Sequence, residues 1–508
     1  MQTMLIEQFY QENKENNTWK WVLDVIRKHQ TRDYSVMRKY VDGEHDILKQ
    51  PEERGKPNNR IVVNFARKII DFSTSYIASN PIRYAPNVEK EGLDEFVEKL
   101  QAIFVDNDEE SSTYELIENG SIDGEVFEYY YFDEDGQICM TPFTADECIA
   151  VYDTTVKAKL IAVIRYYHVW NDAAKRNELR VEVYDEHEIS YLKQEGESLV
   201  LDTSRPDNPY LHKITVLVTD QDGKMKPKPV VPWTHYVNRP RKHQAARDDG
   251  MIEGMGDLAD LKNLFDAINK AITGKVNVQE YFKNPKIMFE DLDLDELILY
   301  DEEGNLITDV ERKRQYLAKM FWTSHVLVGS KAVPITWDLQ DQHEENTINR
   351  LIESLLDQSG TPHLRPDQVG NAPSGIALKL IFYHADIKAG IKMRQYGKGL
   401  RNRLRILTGM LNMKYRKQWN YQDIDIKFSK NMPVNIVEMV DIVTKLIGEL
   451  SHEERLALLP FVDDPQASRK KLLAEQEEEA QRRIALMDPL AVDNEEDEDE
   501  NGSPGDAA

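Results

Sequence analysis

Apolar positions recur at alternating spacings of three and four in two stretches of the chain, a pattern that puts them on one face of a helix. In NRIVVNFARKIIDFSTSYIASNPI they are Val62, Phe65, Ile69, Phe72 and Tyr76, and Asn80-Pro81 closes the element because proline disfavours helical backbone before it. In MIEGMGDLADLKNLFDAINKAI they are Leu258, Leu261, Phe265, Ile268 and Ile272. This predicts a helix from Gly250 to Phe282 with a seam suited to a partner helix. Shorter patterns predict helices over Leu93 to Val105 and around Trp19, Val22 and Ile26. Between Ser111 and Val237 the alternation becomes strand-like, with β-branched and aromatic residues dominating EVFEYYYF, QICMTPF, LIAVIRYYHVW and ELRVEVYDEHEISYLK. Asp133–Gly136 is the turn of the first hairpin, and Ser198–Leu201 is a weaker strand.

Beyond Phe282 comes a β-containing insert, KIMFEDLDLDELILYDEEGNLITDV, with a second turn at Asp301–Gly304 and Pro334 on its far side. A helix through ENTINRLIESLLDQ follows, its stripe formed by Ile348, Leu351, Ile352, Leu355 and Leu356. Two helices thus bracket the insert, which predicts a helical hairpin with a small domain at its tip. Residues 360–375, with three Pro and three Gly, predict a loop, and the longest helical pattern runs from Ile376 to Met413. A strand in YQDIDIKFS, a helical pair across Val434–Leu459 and a charged helix near Arg469–Ala480 complete the chain. The fold class is α+β. At 508 residues, two or more modules are expected.

Charge alters this picture. The chain carries 64 Lys and Arg against 90 Asp and Glu, for a formal net charge of −26. Residues 493–508 hold eight acids and no base, a self-repelling block read as a disordered tail; without it the remainder still carries −18. No run of about 18 apolar residues predicts a membrane span, and the N-terminus lacks the basic and apolar regions of a secretory signal. Cys139 and Cys148 are nine residues apart, which suits neither a zinc knuckle nor a redox pair and points to a reducing compartment.

Catalytic patterns are missing. Gly274-Lys275 and Gly397-Lys398 lack the upstream glycine and following hydroxyl of a phosphate loop. His343-Glu344 and His452-Glu453 lack the second histidine of a zinc helix, and Ser374-Gly375 has no recognisable base. Asp291, Asp293 and Asp295 read as solvated acidic surface on a hairpin. No metal, cofactor or catalytic residue is expected.

One stretch opposes the overall charge. Residues 387–417 contain ten Lys or Arg and no acid. On a helix Arg394, Lys398, Arg401 and Arg405 share one face, opposite a stripe of Ile391, Leu400, Leu404, Leu407 and Leu411. A nucleic-acid surface is one reading, and contact with acidic surface of another subunit or domain is the favoured one.

Taken in order, these segments resemble the portal proteins of tailed bacteriophages, of the kind in siphophages of Gram-positive hosts. The resemblance spans Tyr34 to Glu479 and rests on NRIVVNFARKIIDFSTSYIASNPI (Asn64, Asp71, Tyr76 and Pro81 matching), ENGSIDGEVFEYYYFDEDGQ, and PVVPWTHYVNRP leading into MGDLADLKNLFDAINKAI (Asn238 and Asp257 matching). YFKNPKIMFEDLDLDE, SGIALKLIFYHADIKAG and LSHEERLALLPFVDDP complete it, whereas His384-Ala385-Asp386 and Arg239–Arg247 match no pattern.

The resemblance implies a ring of about twelve subunits at one capsid vertex, with an axial channel for double-stranded DNA. It implies a wing over residues 1–250 and 376–432, stem helices at 251–282 and 343–359, and an α/β clip at 283–342. A tunnel loop at 360–375 and a helical crown at 433–480 precede the acidic tail, 481–508. Stem packing would come from Leu258, Leu261, Phe265, Ile268, Ile272, Leu351 and Leu355. Tunnel-loop contacts with DNA would come from His363, Arg365, Asp367, Gln368 and Asn371; the alternative is that His363 and Arg365 only shape the loop with their neighbours Pro362 and Pro366. Implied partners are the terminase large subunit, head–tail adaptors, the major capsid protein and scaffold protein, in the virion and, during assembly, the host cytoplasm. A nucleic-acid-processing enzyme and another ring-forming head–tail connector component are the competing readings.

Overall fold

The computed structural model describes residues 19–52, 57–88, 90–153, 158–172, 175–219, 224–240, 254–283, 286–290, 298–300, 303–320, 331–335, 341–363, 379–431, 436–459, 462 and 465–487. The chain divides into two compact units, one of residues 1–364 and 382–431, the other of 365–381 and 432–508.

In the larger unit the first helix, α1 (Lys20–His29), covers a six-stranded antiparallel sheet with Trp19, Val22, Leu23 and Ile26. That sheet runs β4 (Cys148–Tyr152), β5 (Leu160–Asn171), β6 (Arg176–Tyr184), β7 (Glu188–Glu195) and β8 (Ser198–Leu201), with β9 (Tyr210–Leu211) also on β7. A three-stranded sheet places β2 (Glu125–Phe132) between β3 (Ile138–Thr144) and β12 (Trp233–Val237). Phe132 pairs with Ile138 across the turn expected at Asp133–Gly136, where Asp133 Oδ1 accepts from the amides of Asp135 and Gln137. Trp233 is fully buried between the two sheets, beside Phe127, Ala150, Val163 and Tyr184. Two small sheets pair β1 (Arg83–Pro86) with β15 (Ile424–Lys427), and β10 (Thr215–Thr219) with β11 (Met225–Pro229).

Around these strands lie α2 (Ser35–Val41), α3 (Phe65–Ala78), α4 (Leu93–Asp106) and α5 (Glu109–Asp123). Helix α3 starts at Phe65, not at Val62, because the Asn64 side chain caps it by accepting from the Arg67 amide. Helix α5 corrects the sequence reading, which took residues 111–123 as the start of the β region. It buries Glu109, Thr113, Leu116, Ile117, Gly120, Ser121 and Ile122, so no single apolar stripe marks it.

The helix expected from Gly250 begins at Lys262, where α6 (Lys262–Lys283) follows a turn through Leu258 and Leu261. It packs against α8 (Asp341–Ser359), reached through an insert of β13 (Lys286–Glu290), α7 (Val310–Met320) and β14 (Lys331–Ile335). Strands β13 and β14 pair antiparallel. The Lys275–Glu345 ion pair, 2.6 Å, lies nearer the insert than the packing of Phe265 with Leu355, so α6 and α8 run antiparallel.

The longest helix, α9 (Tyr383–Tyr415), starts later than Ile376, after a break at Phe382. Gly399 permits its close approach to β12, because a Cβ there would stand 2.2 Å from the Tyr236 ring. In the smaller unit are α10 (Ile436–Lys445), α11 (His452–Ala457) and α12 (Pro465–Met487). Ser451 and Glu454 form a capping box at the start of α11, and Arg469 pairs with Glu453 at 2.6 Å. The acidic tail beyond Met487 lies outside the described residues, as do Asp291, Asp293 and Asp295. Cys139 and Cys148 are both free thiols.

Candidate inter-subunit surface on the long helix

Helix α9 has 33 residues and would extend about 50 Å. At about 100° per residue, the nine steps from Arg394 to Arg403 carry the side chain to the opposite side. The basic run therefore divides. Arg403 is fully buried, and its guanidinium donates to both oxygens of Glu128, Nε at 2.9 Å and Nη2 at 2.8 Å. Its Nη1 donates to Glu109 at 2.5 Å and to Thr113 at 2.9 Å. Tyr130 and Tyr236 each donate to Glu128 Oε2 at 2.6 Å. Burial works against the guanidinium charge, but Glu128 and the other neighbours more than offset it, so Arg403 stays protonated.

Lys392 also turns inward. Its Nζ lies 2.7 Å from Asp257 and 2.6 Å from Ser121 Oγ, while Ser73 and Asn238 each donate to Asp257 at 2.9 Å. Burial raises the Asp257 pKa, yet Lys392 and these donors hold it below the usual carboxylate range. Asp257 and Lys392 together thereby tie α3, α5, the residue after β12, α9 and the approach to α6. Arg403 and Lys392 were missed as structural groups because composition counts charges without assigning them a direction; the helical angle was the available signal.

The four cations predicted to share a face do so. Arg394, Lys398 and Arg401 are exposed and Arg405 is half-buried, along an open groove of about 900 Å³. Met393, Tyr421, Ile426 and Phe428 supply its apolar lining. Among the described residues none of the four forms an ion pair; Lys398 donates only to Gln395, at 3.2 Å. Burial lowers the Arg405 pKa, opposed only by Tyr421 and Glu186, and its Nε is buried without a hydrogen bond. Ile391, placed by the sequence on the opposing apolar stripe, instead stays 42% exposed, whereas Leu400, Leu404, Leu407 and Leu411 are buried. Sixty degrees of rotation put it beside the cations, not behind them.

The family model for phage portal protein, SPP1 Gp6-like, matches residues 22–482, from α1 to α12. The chain belongs to this family. The portal protein of Bacillus phage SPP1 is 21% identical over 451 residues, covering 88% of this chain and 82% of the relative. That of Clostridium phage phiCD119 is 23% identical over 469 residues, covering 88% and 93%. A chain in the solved structure of the neck of an empty GTA particle, computed with C6 symmetry, is 12% identical with a TM-score of 0.37. It covers 84% of this chain and 93% of that one, a likeness too loose to carry an argument.

In this portal protein the residues expected to pack the stem converge. Leu258, Leu261, Phe265, Ile268 and Leu355 share one buried cluster with Tyr40, Ala66, Ile69, Ile70 and Ile122, and Ile272 and Leu351 pack against it. Asn269, also buried, donates to His45 Nδ1 at 2.8 Å, while His45 Nε2 bonds the Tyr40 carbonyl at 2.9 Å. Those partners fix a neutral imidazole, and burial lowers its pKa. Of the tunnel-loop candidates, His363 is half-buried, and Arg365, Asp367, Gln368 and Asn371 lie outside the described residues. Among the described residues no group of three or more His, Cys, Asp or Glu could hold a metal ion. No described helix is long and apolar enough to cross a membrane.

The sequence reading also missed a buried chain of titratable groups. Glu125 accepts from Tyr34 at 2.7 Å, pairs with Arg32 at 3.3 Å and meets His235 Nε2 at 2.8 Å. Tyr152 lies 3.0 Å from His235 Nδ1, and His29 bonds both Tyr34 and Tyr166. Burial raises the Glu125 pKa, but His235, Arg32 and Tyr34 bring it below the usual value. These residues belong to α1, β2, β4, β5 and β12 and to the segment after α1, so the network ties the two sheets together.

Proposed function

We propose that this portal protein closes into a ring of about twelve copies at one capsid vertex, with an axial channel through which double-stranded DNA enters and leaves. The observation that carries the reading is the antiparallel pair α6 and α8, which share an apolar core with α2 and α3 and lead into the β13–α7–β14 insert. On this reading α6 and α8 are the stem and the insert is the clip, where the terminase large subunit docks and head–tail adaptors later bind. Residues 360–375 are the tunnel loop, the sheets with α1–α5 and α9 are the wing, and residues 433–480 are the crown. The major capsid protein surrounds the ring in the virion, and scaffold protein is a partner during assembly in the host cytoplasm.

The chain itself is a structural component, not an enzyme; fuel comes from the terminase. A net charge of −26 per copy repels phosphates, so DNA contact is weak. Each neutralised phosphate would add affinity to be broken at every step of sliding, which an anionic duct avoids. Negative-stain images of the purified full chain should show rings with a central hole. Isolated compact particles, or nucleotide turnover by the pure protein, would overturn the proposal.

A further inference from the structure

The groove on α9 has a chemical counterpart on this same chain. Where α4 meets α5, Asp106, Asp108 and Glu110 are exposed and make no ion pair among the described residues. Val105, next to Asp106 in the chain, is 80% exposed. Beside Glu110 an open hollow of about 430 Å³ is lined by Asn80, Pro81, Ser111 and Tyr114. Three unpaired acids with an apolar residue thus match the unpaired cations over their apolar floor.

The two patches sit on different sides of α9. Arg403 Nη1 reaches Glu109 and Thr113, so α5 lies against the Arg403 side of the helix. Arg394, Lys398 and Arg401 point the other way, half a rotation around the axis. Opposite charges on opposite sides cannot satisfy each other within one subunit. Nor does a basic patch pair with itself across a twofold axis. They do satisfy a head-to-tail contact, repeated from copy to copy, which closes into a ring when the rotation allows.

We propose that the α9 groove receives the acidic α4–α5 corner of a second copy of this chain, Arg394, Lys398, Arg401 and Arg405 facing Asp106, Asp108 and Glu110. This deepens the ring reading above and rests on it. Arg405, half-buried in the groove, makes no ion pair among the described residues. Charge complementarity sets the register, while Val105 and the groove's aromatic residues exclude water from the contact.

The test uses two full-length variants and native mass measurement beside electron microscopy. Arg394→Glu with Arg401→Glu reverses the groove; Asp106→Lys with Glu110→Lys reverses the corner. All four positions are exposed, so circular dichroism and subunit unfolding should match wild type. Each variant alone should lose at least about tenfold in ring yield, since every contact opposes like charges (about 1.4 kcal/mol per tenfold). An equimolar mixture should recover rings containing both variants in equal share, because alternation makes every contact either doubly native or doubly reversed. The milder pairs Arg394→Gln with Arg401→Gln, and Asp106→Asn with Glu110→Gln, should reduce ring yield less and keep the test open should a reversed chain fail to fold. Rings from either variant alone, or no recovery in the mixture, would overturn the pairing while wild-type rings keep the portal reading. Normal rings with altered retention of double-stranded DNA would overturn it in favour of a nucleic-acid groove. A wild type without rings removes the portal reading first.

Discussion

The two sides of α9 hold the same residue types in opposite circumstances. Inside, Arg403 and Lys392 are buried and each is answered by a carboxylate with further hydrogen bonds. Outside, Arg394, Lys398, Arg401 and Arg405 stand along a groove without an acid. The inner pair belongs to the folding of one subunit, because a buried charge is tolerable only when compensated. The outer four contribute nothing that the single chain can use. A helix can thus build the monomer with one face and leave its other face for assembly.

Four substitutions probe that contrast. The largest effect is expected from Arg403→Met, which strands Glu128 and Glu109 in the core and should destabilise the subunit by about 3–5 kcal/mol in urea unfolding. A change below about 1 kcal/mol would show that the inner network is dispensable. Next, Gly399→Ala places a methyl group against the Tyr236 ring and should destabilise by about 1–3 kcal/mol as α9 is pushed off β12.

The third concerns pH. His45 is held neutral between Asn269 and Tyr40, with its pKa lowered, so the unfolded chain binds the proton more tightly. Its contribution is therefore full above the ordinary imidazole value of about 6.5 and is lost as pH falls through the lower folded value. The stability advantage of wild type over His45→Gln should shrink between about pH 7.5 and pH 5, and an advantage that grows on acidification would refute the neutral assignment. The smallest effect is expected from Lys398→Ala, whose subunit stability should stay within about 0.5 kcal/mol of wild type. A loss comparable to that of Arg403→Met would erase the distinction between the faces.

Much of this architecture was legible in the sequence where side chains repeat with a period. The stripes at Phe65–Tyr76 and Leu258–Ile272 foretold α3 and α6, and EVFEYYYF with QICMTPF foretold the β2–β3 hairpin. Helix α5 was invisible because its neighbours enclose it on most sides, and Ser, Thr, Asn and Gly fill positions where a stripe would be apolar. The start of α6 was misplaced because Leu258 and Leu261 keep the helical spacing while their backbone only turns. The basic run was visible, but its division was not read until the helical angle separated Arg403 from Arg394. What remained hidden were the partners of the buried cations, since Glu109, Glu128 and Asp257 lie more than 100 residues away in the chain.

The most direct test compares the native mass of wild type with that of Arg394→Glu plus Arg401→Glu at equal concentration. Wild type should give a discrete assembly near twelve times 59.0 kDa, and the variant a folded 59.0 kDa subunit as its main species. Equal masses for the two, whether both assembled or both single, would contradict this expectation.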